Sequence, residues 1–463
     1  MHPLPTAICF VLVGSAIVLG QHGIAAGRQH SDGGAAGAVG PDVIAAAITG
    51  IAKYGSTTVA GQTMMSYAVG STACNIGDAV VEWRSAPDNR HPYITQNMYR
   101  VKDGRVQQIG LGWGRHGFSA LQQALCSTCI PNPDGTALGV GCASPYTAPF
   151  NGQTQNLGAR SEINASTGVF PGTYNAGMPP AAAVIGRRIQ VKSSDLDPAL
   201  NAEAIYIAEA QYIHPADAAS ANDDNNASWR TFSVGTLSGG AYNLAMSGTT
   251  NQQQPAITAW RAVDPAVTLV SADVPSDGRF ILGYRVSPNT NGTWRYEYAV
   301  QNLNSDRSGR LFEVPLPLDA TVTNIGFSDV AYHSGDPYDS IDWSTSISDG
   351  FVRWTGPDFA ANPNGNALRY STLYNFWFDA DVPPRAGSVS LGLFKPGAAG
   401  APTAIALAAQ IPARKGDLDG DGTIGASDLA LLLTDWGSAG IGDLDGDGAV
   451  GPSDLAALLG SWG

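Results

Sequence analysis

Aspartates recur at a fixed spacing near the C-terminal end of the sequence. The run Asp417-Leu418-Asp419-Gly420-Asp421-Gly422-Thr423-Ile424-Gly425-Ala426-Ser427-Asp428 returns twenty-six residues later as Asp443-Leu444-Asp445-Gly446-Asp447-Gly448-Ala449-Val450-Gly451-Pro452-Ser453-Asp454. Each copy places carboxylates at positions 1, 3, 5 and 12, a glycine at 6 for a sharp turn, and an apolar residue, Ile424 or Val450, at 8 to join a core. A hard cation such as Ca²⁺ takes about six to eight oxygens at roughly 2.4 Å, and this spacing supplies them. The expected ligands are Asp417, Asp419, Asp421, Thr423 and Asp428 in the first loop, and Asp443, Asp445, Asp447, Ala449 and Asp454 in the second, with Thr423 and Ala449 offering backbone carbonyls. Two Ca²⁺ ions are therefore expected. One acidic, glycine-rich turn arises by composition alone. Two in tandem, each followed by an apolar helix and Trp-Gly, do not.

The repeats resemble type I dockerin modules from Gly416 to Gly463. A helix leaves each loop but none enters it, since Pro412 and Gly416 precede the first loop and Gly437 to Gly442 precede the second. Position 12 is aspartate rather than glutamate, which is part of the same resemblance. The resemblance implies a small helical calcium-binding module that docks a secreted protein onto a cohesin-like protein or a cell-surface assembly. Leu429-Ala430-Leu431-Leu432-Leu433 and Leu455-Ala456-Ala457-Leu458-Leu459 carry no Lys or Arg. They read as the packing surface between the two helices, because neither repeat can bury an apolar face alone.

The rest of the chain must carry this tail to where calcium is abundant. Ala7 to Leu19 is an apolar run too short to span a bilayer, and small residues at Ala25 and Ala26 suit signal-peptidase cleavage near Ala26. Residues 1–26 thus read as a secretory signal, with no membrane span expected in the mature chain. Residues 415–463 hold nine Asp and one Lys, so they supply −8 of the formal net charge of −14, and bound metal would offset most of it. Nothing resembles the basic stripe of a nucleic-acid binder. Once Cys9 leaves with the signal, Cys74, Cys126, Cys129 and Cys142 remain. In an oxidising compartment they read as two disulfides, with three pairings open, in preference to a four-thiolate zinc site around Cys126-x-x-Cys129.

The fold class expected is mainly β: a β-rich body with a β-sandwich, plus the small helical module. Residues 41–255 read as a loop-rich β domain holding the four cysteines, with strands near Ala79–Trp83, Arg187–Val191 and Ala204–Ala208 and a helix at Phe118–Leu125. Residues 256–394 read as the sandwich. Phe280, Leu282, Tyr284 and Val286 share one face, and Trp294, Tyr296, Tyr298 and Val300 share it on the return through Asn291-Gly292. Further strands are expected at Val322–Phe327, Phe351–Trp354, Thr372–Phe378 and Val389–Leu393. Residues 395–414, rich in Pro, Gly and Ala, read as a linker to the repeats at 415–463.

Other polar residues point to less. Arg90-His91, Gln96-Asn97, Arg100, Arg115-His116 and Arg160-Ser161-Glu162 cluster among the cysteines, where Glu162 or His116 would be the acid or base of a catalytic site. Capping of loops and buried backbone is the preferred reading. Segments His91–Tyr99, Ile109–Phe118 and Leu138–Asn164 resemble a group of secreted bacterial proteins of unassigned activity, which implies one recurring module and no catalytic residue. Asp336, Asp339 and Asp342, beside His333, read as an acidic surface loop rather than a third calcium site, and Asp195 and Asp197 as a turn. The aromatic run from Trp294 reads as core rather than a sugar platform. No nucleophile elbow, metalloprotease or phosphate-loop motif is present, so no catalytic residue is assigned. The function expected is a secreted, modular calcium-binding protein attached through its tail. The alternative is a polysaccharide-degrading hydrolase or carbohydrate-binding protein bearing the same tail.

Overall fold

The structure, a computed structural model, describes residues 38–318, 320–331, 335–420 and 423–463. The expected signal peptide, His333 and Asp421 lie outside the described residues.

Two long strands open the body. β1 (Val43–Val59) and β2 (Gln62–Asn75) form an antiparallel hairpin. Its two-residue turn, Ala60-Gly61, puts both residues at positive φ, 48° and 78°, which suits the twist of the flanking strands. Six more strands make up the main path of this eleven-stranded sheet, with three short strands pairing off it: β3 (Tyr93–Lys102), β4 (Arg105–Leu111), β5 (Ile189–Lys192), β6 (Ile205–Ile213), β7 (Ala227–Ser238) and β8 (Ala241–Met246). They run in the order β1-β2-β5-β4-β3-β6-β7-β8, each antiparallel to its neighbour.

The sheet curls until β8 comes back beside β1, making a near-barrel. No ladder joins these two strands among the described residues; side chains close the seam instead. Lys53 Nζ donates to the Ser238 carbonyl at 2.7 Å and to Asn243 Oδ1 at 2.7 Å, and Arg230 donates to the Ile48 carbonyl at 2.7 Å. Val43, Tyr67, Val69, Met98, Tyr212 and Phe232 are among the residues filling the interior.

The second half is the expected sandwich. One sheet holds β9 (Thr268–Asp273), β10 (Arg279–Pro288), β11 (Trp294–Asn302), β13 (Val322–Ser328) and β16 (Thr372–Ala380) in the order β9-β10-β11-β16-β13. The other holds β12 (Gly309–Pro315), β14 (Ser344–Ser348), β15 (Phe351–Thr355), β17 (Pro384–Leu393) and β18 (Ala404–Pro412) in the order β14-β15-β12-β17-β18. The alternation of β10 and β11 is realised in register, with Leu282 opposite Val300, Tyr284 opposite Tyr298 and Val286 opposite Tyr296. Tyr296 and Tyr298 are fully buried with Phe312, Trp354, Phe376 and Phe378, so this aromatic run is core.

Two expectations need correcting. The stretch 395–414 is not a free linker, because β18 lies within it and pairs with β17 from Gly392–Ala404 to Pro384–Pro412. Its alanines are small enough to sit on an edge strand while Leu407, Ala409 and Ile411 join the sandwich core. Phe118–Leu125 is not a helix. Ser119 and Gln122 take positive φ of 62° and 51°, and Gln122 instead ties the loop together, its Oε1 accepting the Asn132 and Gly139 amides at 3.1 and 3.0 Å.

The same region holds two disulfides, Cys74–Cys126 and Cys129–Cys142, which resolves the pairing the sequence left open and fits an oxidising environment. No helix among the described residues is long and apolar enough to cross a membrane. Barrel, sandwich and the C-terminal repeats belong to one compact unit.

Candidate metal centre in the C-terminal repeats

Each acidic loop runs straight into a helix, α1 (Ala426–Thr434) after the first and α2 (Pro452–Gly460) after the second. The aspartate at position 12 is also the third residue of its helix, and it organises the loop. Asp428 Oδ2 accepts the Gly425 amide at 2.7 Å, while its Oδ1 accepts those of Leu418 and Asp419 at 2.5 and 3.0 Å. Asp454 repeats this with Gly451, Leu444 and Asp445 at 2.7, 2.5 and 3.0 Å. A negative side chain at a helix N-terminus is favoured by the helix dipole as well. Burial pushes the Asp454 carboxyl up, but the backbone amides of Gly451, Asp445 and Leu444, with its own, outweigh it and hold the group below its ordinary value.

The carboxylates at the front of each loop bend inward. Asp417 accepts the Gly420 amide at 2.8 Å, and Asp443 accepts those of Gly446 and Gly448 at 2.8 and 2.9 Å. As a result Asp417, Asp419 and Asp428 bring one oxygen each within 4.8 Å of one another, and so do Asp443, Asp445 and Asp447. Like charges gathered this closely repel unless a cation sits among them. The donor set is all oxygen, which fits a hard metal ion, and these clusters can hold one. Asp454 belongs to the second loop through its bonds to Leu444 and Asp445, and Thr423 and Ala449 lie at the exposed tips.

The two copies are locked to each other reciprocally. The Gly437 amide, past the end of α1, donates to the Val450 carbonyl at 2.9 Å, and the Gly463 amide, past the end of α2, donates to the Ile424 carbonyl at 3.1 Å. Val450 and Ile424 are the position-8 residues, and they share a small core with Leu418, Leu432 and Leu458. The leucine runs thus pack the helices together, as their composition implied. Leu433, Trp436, Leu459 and Trp462 stay outside, between 44% and 51% exposed.

The polar cluster between the cysteines has a different character. Glu162 accepts the Asn175 amide on both oxygens, at 2.8 and 3.0 Å, which is a loop cap. Burial raises its carboxyl, with Asn175 and Arg187 acting the other way. His116 is buried, stacked on Tyr174 with ring centroids 3.8 Å apart, and its Nδ1 lies 2.9 Å from His91 Nε2. Burial drives both imidazoles down, His91 to about 4 and His116 to about 2, so both are neutral over the physiological range. Asp195 pairs with Arg100 at 3.2 Å, and Asp197 caps the amide of Ala199 at 2.9 Å, as a turn requires.

Sequence reading missed the buried centre of the body, where barrel and sandwich meet. Glu209 is fully buried and accepts from Asn97 at 2.9 Å, Tyr99 at 2.7 Å, Gln301 at 2.8 Å and the Ala256 amide at 2.6 Å. Arg160 joins from the other side, donating to Asn97 Oδ1 at 2.7 Å and to the Ser371 carbonyl at 3.2 Å. The only signal in the sequence was a Glu inside the apolar run of β6, Ile-Tyr-Ile-Ala-Glu-Ala. No family model matches the chain, and the search of curated proteins finds no match to it either.

Proposed function

We propose that this chain is a secreted calcium-binding protein that uses its duplicated C-terminal loops, each holding one Ca²⁺, to attach itself to a partner protein or cell-surface assembly. The observation that carries this reading is the convergence of three carboxylate oxygens in each loop. The all-oxygen donor set suits Ca²⁺ over softer metals, and Asp421, Thr423, Ala449 and Asp454 complete the ligand sets by position. The two disulfides are consistent with export. When bound, the ions offset the −8 charge of residues 415–463 and tie each loop to its own helix through Asp428 and Asp454.

The resemblance to type I dockerin modules supports an attachment role. So do the two pairs of exposed apolar residues, Leu433 with Trp436 and Leu459 with Trp462, which repeat at the same offset as the loops. Large apolar side chains left outside a core that has room for other leucines are what a docking surface offers. Calorimetric titration of the mature protein tests the reading. Two Ca²⁺ per chain are expected, and no uptake at about millimolar Ca²⁺ would refute it.

A further inference from the structure

The chain contains three Asp-Pro bonds, at Asp197–Pro198, Asp264–Pro265 and Asp336–Pro337. In two of them the aspartate is a satisfied carboxylate. Asp197 accepts the Ala199 amide at 2.9 Å; Asp264 accepts the Ala266 amide at 3.0 Å and pairs with Arg285. Asp336 differs. Both of its oxygens are shielded from solvent, with Ser161 beside them and, among the described residues, no hydrogen bond as close as those of the other two aspartates. The expected acidic surface loop is therefore tucked inward at this residue.

We propose that Asp336–Pro337 is a self-cleavage site, at which the Asp336 carboxyl attacks its own main-chain carbonyl and releases Pro337 as a new N-terminus. The attack forms a five-membered ring, so covalent geometry alone brings the reacting atoms together. A carboxyl oxygen bonds to the carbonyl carbon, the carboxyl proton passes to the Pro337 nitrogen, and the carbon–nitrogen bond breaks with its electron pair leaving on nitrogen. The product at Asp336 is a cyclic anhydride. One water then opens it to a C-terminal aspartate, so the net change is hydrolysis of one peptide bond. Proline suits the leaving position because its tertiary amide nitrogen has no N–H to hold in a ladder.

The surroundings hold this bond in place. Tyr338 lies under the Arg369 guanidinium, 3.5 Å from carbon to ring centroid. The Asp339 amide donates to the Asn364 carbonyl at 3.0 Å, and Asp339 Oδ1 accepts the Asn366 amide at 3.0 Å. Upstream, Gly335 sits at φ 98°, so close to Trp113 that a Cβ there would come within 3.0 Å of the indole. Arg369, whose Nε is buried without a hydrogen-bond partner, acts electrostatically on the Asp336 carboxyl.

The charged and titratable groups acting on Asp336 are Arg160, Arg369 and Tyr93, and Ser161 adds its backbone amide and hydroxyl. Burial raises the carboxyl to about 6 against the pull of Arg160, Ser161 and Arg369, which keeps it protonated where surface aspartates are ionised. The cut falls between β13 and β14, in the crossing from one sheet of the sandwich to the other. Both disulfides precede it, so a cleaved chain would carry its calcium repeats on a fragment held only by strand pairing and core contacts.

The test uses full-length protein, purified with Ca²⁺ and incubated at about pH 6, then run on a denaturing gel and weighed by mass spectrometry. A fragment beginning at Pro337 is expected, forming roughly tenfold or more faster than cleavage at the other two Asp-Pro bonds of the same molecule. That preference should vanish in urea and in Asp336→Asn. Comparison of three bonds in one wild-type chain needs no variant to fold. An intact chain, or equal cutting at all three bonds, overturns the proposal.

Discussion

The centre of the body and the C-terminal repeats both bury carboxylates, and they treat them in opposite ways. Glu209 is answered by four protein donors drawn from β3, β11 and the segment before the short helix Thr258–Val263, so its charge is settled by the fold itself. Asp428 and Asp454 are answered by backbone amides of their own loops, while three carboxylates in each loop crowd their oxygens together. A network closed by protein groups resists change. A network of converging acids calls for an ion, and its order follows the ion's supply. The body should therefore stand without calcium and the repeats should not.

Chelation is the broadest way to break this contrast. Removing Ca²⁺ should collapse amide protection at Leu418, Asp419, Leu444, Asp445 and Gly451, whose donors meet Asp428 and Asp454, while β3, β6 and β11 exchange as before. Hydrogen-exchange mass spectrometry reads both regions in one experiment, and equal loss in the two would end the distinction.

The converse belongs to the body. Glu209→Ala strands Asn97, Tyr99 and Gln301 in a closed site, and should cost about 3–5 kcal/mol in denaturant unfolding without altering calcium uptake. A cost below about 1 kcal/mol would show that water can replace the carboxylate there. A narrower substitution separates the two loops from each other. In Asp454→Asn the second loop loses a charge and an acceptor, so calorimetry should count one Ca²⁺ against the two proposed for the wild type.

Protonation provides a further measure of how completely the body settles its polar groups. His91 and His214 are buried with imidazoles lowered to about 4, chiefly by desolvation. Since the unfolded chain takes up these protons near 6.5, the unfolded state binds more protons between about pH 6.5 and 4. These histidines thus withdraw stability as pH falls through that window and have no effect above it. Nitrogen-detected NMR should show both rings neutral at about pH 5, and titration near 6.5 would contradict their burial. Smallest of all, Trp462→Ala should change stability by no more than about 0.5 kcal/mol, because the residue is 46% exposed, yet weaken the proposed attachment to a partner.

The same contrast explains what could be read from the sequence. The acidic clusters of the loops were legible because carboxylate spacing is a local property, and the hairpin of β10 and β11 because alternation with large side chains marks its buried face. The barrel was harder. β1 reads Val-Ile-Ala-Ala-Ala-Ile-Thr-Gly-Ile-Ala, and with register shifts at three places its small residues leave no period-2 signal. β18 was hidden by alanines in the same way. Glu209 and Asp336 were out of reach because their meaning lies in partners far along the chain: Tyr99 and Gln301 for the first, Arg160 and Arg369 for the second. Disulfide pairing depended likewise on how the loops fold back.

The seam of the barrel sets an order of events during synthesis. Lys53 and Asn243 are 190 residues apart, so the β1–β2 hairpin leaves the ribosome long before β8 exists to cover its outer edge. For that interval the nascent chain carries an open strand edge, the usual starting point for association between chains. The irregularities in β1 at Ala45–Ala47, Ile48–Gly50 and Lys53–Gly55 interrupt that edge, and a lysine sits at the last of them. The features that obscured β1 as a strand are thus the ones that keep it from recruiting a stranger while it waits.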